Sequence, residues 1–533
     1  MEKGYLSLVL HAHLPYVRHP EYKSFLEEDW LFEAITETYV PLIRAFQRLT
    51  DDGVDFRLTV SLSPPLVSML QDPLLQERYL KHLDGLIELA EKEVDRCSRE
   101  PQLRRLAELY RSLFSDCRRT YAEEYGLDLV GAFRHFRDIG KLDLATCGAT
   151  HGYLPLLQED PAAVRSQIAL AVRHHRQTLG RNPEGIWLPE CGYFPGADAY
   201  LAEQGIRYTF VDSHGILHAT PRPKYGTFAP VVTPAGVAVF GRDLESSKQV
   251  WSAKEGYPGD IVYRDFYRDY SYELDYDYVR PYLGADGRRK MLGFKYYRIT
   301  GPTDDKEFYD PDAAAVRAAE HAANFLFNRE RQVEHLEEVL GRRPIVVAPY
   351  DAELFGHWWF EGPIWLEALF RKLHEVRGPV RAATPRDYLM MGEPLQTCRL
   401  HHTSWGYLGY SEVWLNGTND YIYRHLHRAA RRMTELAKTY PDAGGLRLRA
   451  LNQAARELLL AQASDWAFIM KTGTMAGYAH KRTRDHISRF TGLYEEILAN
   501  RVDEKRLCEL EWRDRIFPEI DYRLYADDRP PSP

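Results

Sequence analysis

The sequence lacks the features that mark membrane proteins, nucleic-acid-binding proteins and disulfide-rich secreted proteins. No stretch reaches the roughly 18 apolar residues that a membrane-spanning helix needs, and no run of five basic residues occurs. The chain carries 77 acidic and 69 basic residues, and its net charge of -8 disfavours a nucleic-acid partner. The 6 cysteines show no Cys-x-x-Cys spacing, which predicts reduced thiols in a cytoplasmic protein.

Aromatic residues are plentiful instead. They make up 13% of the 533 residues, with 35 tyrosines and 10 tryptophans, and many stand in polar, Gly-rich or Pro-rich surroundings. Sugar rings stack their C–H faces on aromatic rings, so this composition fits a carbohydrate-binding cleft. The same residues could equally fill a large core, and composition alone does not separate the two interpretations.

Apolar strand patterns alternate with helical patterns along the first 400 residues. They include LSLVLHAHLP near the start, FRLTVSLSP at 56–64 and PIVVAPYD at 344–351. Such alternation predicts an α/β fold with a parallel sheet, either a barrel or an open sheet. Amphipathic patterns predict a helical insertion at about 70–140 and helices from about 420 onward. We therefore expect a catalytic domain over residues 1–400 and a C-terminal helical domain over 401–533.

Polar clusters follow four of the apolar strands. They are HAHLP (11–15), GATHGYLP (148–155), WLPECGY (187–193) and APYDAELFGHWW (348–359). Folds of this class place their active sites at the carboxyl ends of the strands, so the four clusters are expected to form one site.

Two acidic residues in these clusters, Glu190 and Asp351, suit the cleavage of a glycosidic bond. A retaining glycosidase uses one carboxylate to attack the anomeric carbon and a second carboxyl group to protonate the leaving oxygen. Each of the two acids follows its own strand and stands close to tryptophan in the sequence. The alternative for either acid alone is that it caps the helix that follows.

The four clusters resemble the conserved regions of family-57 glycoside hydrolases, in the same order along the chain. The segment LLLAQASDWAFIM (458–470) resembles the fifth region of that family. Within the family the likeness is closest to the 1,4-α-glucan branching enzymes, through YDAELFGHWWFEGP, SSKQVWSAKEGYPGD and SWGYLGYSEVWLNG. The resemblance implies an incomplete (β/α)7 barrel with a helical insertion and a C-terminal all-α domain. It also implies a monomer or small homo-oligomer that acts on an α-glucan, such as amylose or a glycogen-like polysaccharide, without a metal or other cofactor.

Carried over residue by residue, the resemblance implies that Glu190 is the nucleophile and Asp351 the general acid/base. It implies polar substrate contacts from His11, His13, His151, Arg264 and Asp465. It implies aromatic substrate contacts from Trp187, Trp251, Trp358, Trp405, Trp414 and Trp466.

A branching enzyme must keep water away from the glycosyl-enzyme until a glucan hydroxyl arrives. In the family a mobile loop that carries a tyrosine has this function. The corresponding segment here is HGILHATPRPKYGTFAPV (214–231), with Tyr225 as the candidate. The segment is short and Pro-rich, and a truncated loop would favour hydrolysis over transfer.

Other interpretations of the same residues stay open. α-Amylase-type hydrolysis and 4-α-glucanotransfer would use the same catalytic pair with a different acceptor. A metal-dependent amidohydrolase or deacetylase would explain the His-x-His spacing, because residues i and i+2 of a strand point the same way. His151, Asp351 and His357 could then complete the ligand set. A non-catalytic glucan-binding protein is disfavoured because both candidate acids are present.

Overall fold

A computed structural model describes residues 2–252, 255–284 and 286–531 of the chain. Its ten strands, in chain order, are Gly4–Ala12 (β1), Leu58–Leu62 (β2), Leu142–Cys147 (β3), Gly185–Trp187 (β4), Tyr208–Val211 (β5), Val231–Val232 (β6), Ala238–Gly241 (β7), Ile345–Asp351 (β8), Val380–Ala382 (β9) and Gln396–Thr397 (β10).

Seven of these strands form a continuous parallel sheet in the order β7-β5-β4-β3-β2-β1-β8. The strands β1 and β2 are buried along their whole length, as expected of a sheet covered by helices on its outer side. No ladder joins β7 to β8 among the described residues, and one backbone hydrogen bond, from Asp243 to Val347 (2.8 Å), spans this gap. The predicted incomplete (β/α)7 barrel is confirmed.

The helices that accompany the barrel strands are Glu28–Ala34, Val40–Asp51, Leu154–Leu157, Pro161–Leu179, Ala197–Glu203, Ser213–Leu217, Leu244–Trp251, Tyr276–Val279, Pro311–Leu340, Gly362–Val376 and Pro385–Met390. The helix Pro311–Leu340 begins with an Asp310 cap and ends at Gly341 in the left-handed conformation.

Four helices lie between β2 and β3, where the sequence predicted a helical insertion: Pro64–Leu70, Pro73–Arg96, Pro101–Arg119 and Leu129–Asp138. The helix Pro73–Arg96 begins where the Asp72 side chain accepts hydrogen bonds from the amides of Leu74 and Leu75, with proline at the first helical position. Its buried residues recur every three or four positions and pack towards the neighbouring helix Pro101–Arg119.

Helices also make up the C-terminal part of the chain: Tyr421–Thr439, Gly445–Ala461, Ser464–Thr472, Ala476–Leu498 and Glu504–Arg513. The helix Gly445–Ala461 is almost completely buried from Ala450 onward, so it forms the centre of this bundle. The turn between this helix and Ser464–Thr472 forms a bridge to Gly152, just after β3, which brings the bundle against the barrel. No helix among the described residues is long and apolar enough to cross a membrane.

Candidate active site

The four polar clusters meet at the carboxyl end of the parallel strands, as the sequence predicted. His11 of β1 is paired in register with Ser61 of β2 on one side and with Asp351 of β8 on the other. Glu190 follows β4, and His151 follows β3. Parallel strands end on the same side of a sheet, so side chains far apart in sequence share one site.

Glu190 is held at both of its carboxylate oxygens. The Ser464 hydroxyl donates to Oε1 at 2.7 Å, and the indole nitrogen of Trp405 donates to Oε2 at 2.7 Å. Burial raises the pKa of Glu190 to about 7, although these two hydrogen bonds act in the opposite direction. Donors directed at both oxygens favour the ionised form, which is the form that a nucleophile requires.

The backbone at Glu190 adopts a conformation that residues other than glycine rarely take. Glu190 has φ 63°, Cys191 has φ 50° and His151 has φ 58°. The Trp405 amide donates to the Glu190 carbonyl, and the Ser464 amide donates to the His151 carbonyl, both at 2.9 Å. Strained residues persist where the surrounding contacts fix them, and such residues cluster at functional sites.

Two buried imidazoles connect this carboxylate to the barrel. The Nε2 atoms of His11 and His151 lie 3.1 Å apart, and His151 Nδ1 lies 2.7 Å from the Ser464 hydroxyl. Burial lowers the pKa of both histidines well below the usual value, so both are neutral. Because the Ser464 proton goes to Glu190, His151 donates from Nδ1 and accepts from His11 at Nε2. Each group in this chain therefore donates to the next one: His11 to His151, His151 to Ser464, and Ser464 to Glu190.

His13 is the charged histidine of the site. Its ring lies between Ser63 (2.8 Å) and Asp465 (3.1 Å), and its backbone amide donates to Glu353 (3.2 Å). Burial alone would lower the pKa of His13, but the Asp465 carboxylate raises it above the usual value. The ring stacks on His151 with 3.7 Å between centroids. A positive charge thus lies beside the neutral pair and the Glu190 carboxylate.

Asp351 differs from Glu190 in its environment. Burial, and then the charges of Glu353 and Glu190, raise the pKa of Asp351 to about 8. Of the residues that the structure describes, none hydrogen-bonds the Asp351 carboxyl, whereas the Tyr39 hydroxyl holds Glu353. When two carboxyl groups have unequal environments, the one with the higher pKa keeps its proton and can act as the general acid. Here that group is Asp351.

Sequence reasoning missed Ser464, Glu353 and Tyr39. Ser464 stands directly before Asp465, and Glu353 stands two residues after Asp351, so both lie inside segments that had been singled out. Tyr39 belongs to the helical stretch after β1, where no sequence signal distinguishes it from the other buried aromatic residues.

Three of the tryptophans predicted as aromatic contacts have buried side chains. Trp187, Trp414 and Trp466 expose 0%, 1% and 1% of their surface, so no ring face of these three is open to solvent. Trp187 instead stacks on His11 at 4.9 Å and supports that ring from behind. Trp414 stacks on Tyr153, and Trp466 donates to the carbonyl of the helix end before it, so both are core residues.

Arg264, which was predicted to contact substrate, is engaged by the protein itself. Its guanidinium is buried, pairs with Glu37 at 3.2 Å and donates to the His357 carbonyl. His357 pairs with Glu37 as well, at 2.6 Å. Burial would raise the pKa of Glu37, but Arg264 and His357 hold it at about 2. Arg264 therefore ties the segment after β8 to the barrel helices.

The other three predicted tryptophans are not fully buried. Trp251 and Trp358 each expose 44% of their surface and contact each other edge to face, with 6.2 Å between centroids. Both lie on segments that follow barrel strands, β7 and β8. Trp405 contacts Glu190 directly.

Tyr225, the candidate residue of the covering loop, lies away from the catalytic pair. Its ring packs on the guanidinium of Arg342 at 4.6 Å, and the Phe228 carbonyl accepts from the amide of Ile345. Arg342 lies just before β8, Ile345 is the first residue of β8, and Asp351 is its last residue. Six residues of strand span about 20 Å. Tyr225 thus lies at the end of the barrel opposite the catalytic pair.

Two groups of side chains at the site have the donor spacing of a metal site. The possible ligand atoms of His13, His151 and Asp465 lie within 4.8 Å of one another, as do those of His11, Cys147 and His151. His13 and Asp465 already hydrogen-bond each other, so a metal ion would have to displace that contact. His357, which the metal interpretation invoked, is paired with Glu37.

Comparison with protein families identifies the chain. The model of glycosyl hydrolase family 57 matches residues 7–400, and the model described as the C-terminal region of 1,4-alpha-glucan branching enzyme matches residues 425–525. The chain belongs to glycosyl hydrolase family 57. The resemblance drawn from the four strand-end clusters is confirmed.

Relatives in this family are similar along nearly the whole chain. A 1,4-alpha-glucan branching enzyme of Thermococcus kodakarensis is 35% identical over 99% of this chain and 80% of its own length. The structure of the alpha-amylase AmyC from Thermotoga maritima has 45% identity and a TM-score of 0.93 over 99% of both chains. A family-57 branching enzyme structure from Pyrococcus horikoshii has 34% identity and a TM-score of 0.88, over 99% of this chain and 98% of its own.

Proposed function

We propose that the protein is a 1,4-α-glucan branching enzyme that cleaves α-1,4 bonds and transfers the released chain to form α-1,6 branches. The observation that carries the proposal is the unequal pair of carboxyl groups: both oxygens of Glu190 accept hydrogen bonds, whereas Asp351 has the higher pKa, about 8 against about 7. Similarity to branching enzymes in both parts of the chain supports the transfer activity.

In the first step the Glu190 carboxylate attacks the anomeric carbon of the substrate. The bond from that carbon to the glycosidic oxygen breaks, and Asp351 gives its proton to the departing oxygen. The product is a glycosyl ester on Glu190. The negative charge passes from Glu190 to Asp351 in this step, and Ser464 and Trp405 stay in place as donors to the ester oxygens.

In the second step Asp351, now ionised, takes the proton of the C6 hydroxyl of an acceptor glucan. That hydroxyl oxygen attacks the anomeric carbon, and the ester bond to Glu190 breaks. Two inversions give net retention, and each carboxyl group returns to its starting protonation state. A water molecule in place of the acceptor would give hydrolysis.

Hydrolysis is the second candidate, and two observations favour it. Tyr225 lies at the opposite end of the barrel and does not cover the site, and the structurally similar AmyC is described as an alpha-amylase. Both activities use the same catalytic pair and differ only in the acceptor.

Proton NMR on amylose separates the two candidates. The protein is incubated with amylose in the presence of EDTA, and α-1,6 linkages are counted against new reducing ends. Faster accumulation of α-1,6 linkages supports branching, whereas reducing ends alone would make the enzyme an amylase-type hydrolase.

We further propose the domain division 1–400 and 401–533, a cytoplasmic location, a monomer or small homo-oligomer, and a part in the synthesis of a glycogen-like polymer. The separate matches to residues 7–400 and 425–525 support the division. The free state of all six cysteines agrees with a reducing compartment.

A further inference from the structure

A short loop begins directly at the nucleophile. Trp405 donates to Glu190 through its backbone amide (2.9 Å) and through its indole nitrogen (2.7 Å). The chain then runs through residues 406–411, which we call the tyrosine loop. The tyrosine loop therefore starts at a residue that contacts the reacting group.

The tyrosine loop exposes three large side chains in four positions. Tyr407 is 68% exposed, Leu408 is 65% exposed and Tyr410 is 56% exposed. Neighbouring exposed apolar side chains can mark an interaction site, whereas apolar side chains exposed singly are common on protein surfaces. None of the residues from 403 to 411 is charged, which suits a neutral ligand.

The loop is held in a conformation that its sequence would not adopt freely. Leu408 has φ 63° and Ser411 has φ 72°, in addition to two glycines with positive φ. His214 contacts the Gly409 carbonyl at 2.9 Å, and a side chain at Gly409 would meet its ring at 2.7 Å. The Ser411 hydroxyl lies 2.7 Å from the Tyr153 hydroxyl. These contacts fix the loop before a ligand binds, which reduces the entropy lost on binding.

We infer that Tyr407, Leu408 and Tyr410 form a binding subsite for an α-1,4-glucan chain next to the nucleophile, with His214 as the residue that positions the loop. Tyrosine rings offer a flat apolar face to the C–H groups of glucose and a hydroxyl to its polar edge. The inference rests on the proposed function for the identity of the ligand. It assigns to this loop a glucan contact that the sequence had placed at Tyr225.

Binding of maltoheptaose, measured by calorimetry, tests the subsite. All variants carry Glu190→Gln, so the ligand is not turned over. Replacement of Tyr407 and Tyr410 together by alanine is expected to raise Kd about 10-fold or more, because two stacking contacts are lost. Replacement of both by phenylalanine is expected to keep most of the affinity. Tyr225→Ala is the matched control, a tyrosine at the opposite end of the barrel, and its Kd is expected to stay unchanged.

Unchanged binding by the double alanine variant would overturn the inference, while the proposed function would stand. Equal loss in the phenylalanine and alanine variants would also overturn it, because the rings would then contribute nothing. An absence of maltoheptaose binding in the Glu190→Gln parent would instead contradict the proposed function. The exposed position of both tyrosines leaves folding intact, which a melting curve checks.

Discussion

The hydrogen bond from Ser464 to Glu190 gives the sharpest test of how the nucleophile is held. Ser464→Ala removes a donor 2.7 Å from Oε1 and leaves the Trp405 donor in place. Hydrogen bonds to charged groups contribute about 1.5–3 kcal/mol. Since each 1.4 kcal/mol is a factor of ten, kcat/KM is expected to fall about 10- to 100-fold.

The same substitution has a signature in the pH profile. The Ser464 hydrogen bond lowers the pKa of Glu190, so its removal raises that pKa further above the usual value. Glu190 must be ionised to attack, and the acid limb of kcat/KM should therefore move to higher pH. Ser464→Thr keeps the hydroxyl and serves as the control, with an acid limb close to that of the wild type.

The measurement is kcat/KM for amylose cleavage between pH 5 and pH 9, followed by new reducing ends or by α-1,6 linkages. A purely structural role for Ser464 would lower activity equally at every pH. An acid limb that stays in place in Ser464→Ala would refute the assignment of this hydroxyl as a donor to the nucleophile.

Three further outcomes are expected. Glu353→Gln removes a charge that raises the pKa of Asp351, so the alkaline limb of kcat/KM should move to lower pH; an unmoved limb would contradict the coupling. Trp466→Ala should destabilise the fold by about 3–5 kcal/mol in denaturant unfolding, whereas Trp251→Ala, half exposed, should change stability by less than about 0.5 kcal/mol. Treatment with EDTA should leave activity unchanged, and a loss restored by added zinc would support the metal interpretation instead.

The main features of the fold could be predicted from the sequence because they depend on local patterns. Apolar strands that end in polar clusters indicate both a parallel sheet and the side of it that carries the site. Glu190 and Asp351 were singled out in this way, and the register that pairs His11 with Asp351 brings the ends of β1 and β8 side by side.

The sequence does not reveal which of the side chains it singles out are buried, or in which direction a loop runs through the fold. Trp414 and Trp466 stand in segments similar to Trp405, yet the helical bundle buries the first two and leaves the third beside Glu190. Tyr225 was placed at the site because segment 214–231 resembles the family's tyrosine-bearing loop, but the chain returns towards the start of β8 before it reaches that residue. Ser464 was missed because a single serine carries no pattern.

Azide rescue tests the assignment of nucleophile and acid/base most directly. In Asp351→Gly, azide should attack the glycosyl ester of Glu190 and yield an α-glycosyl azide from an activated α-glucosyl donor. In Glu190→Gly, azide should occupy the place of the carboxylate and yield the β-glycosyl azide. The structure predicts this pair of products, whose configuration NMR reports. The reverse configurations, or the absence of rescue in both variants with wild-type activity retained, would contradict a double displacement through Glu190 and Asp351.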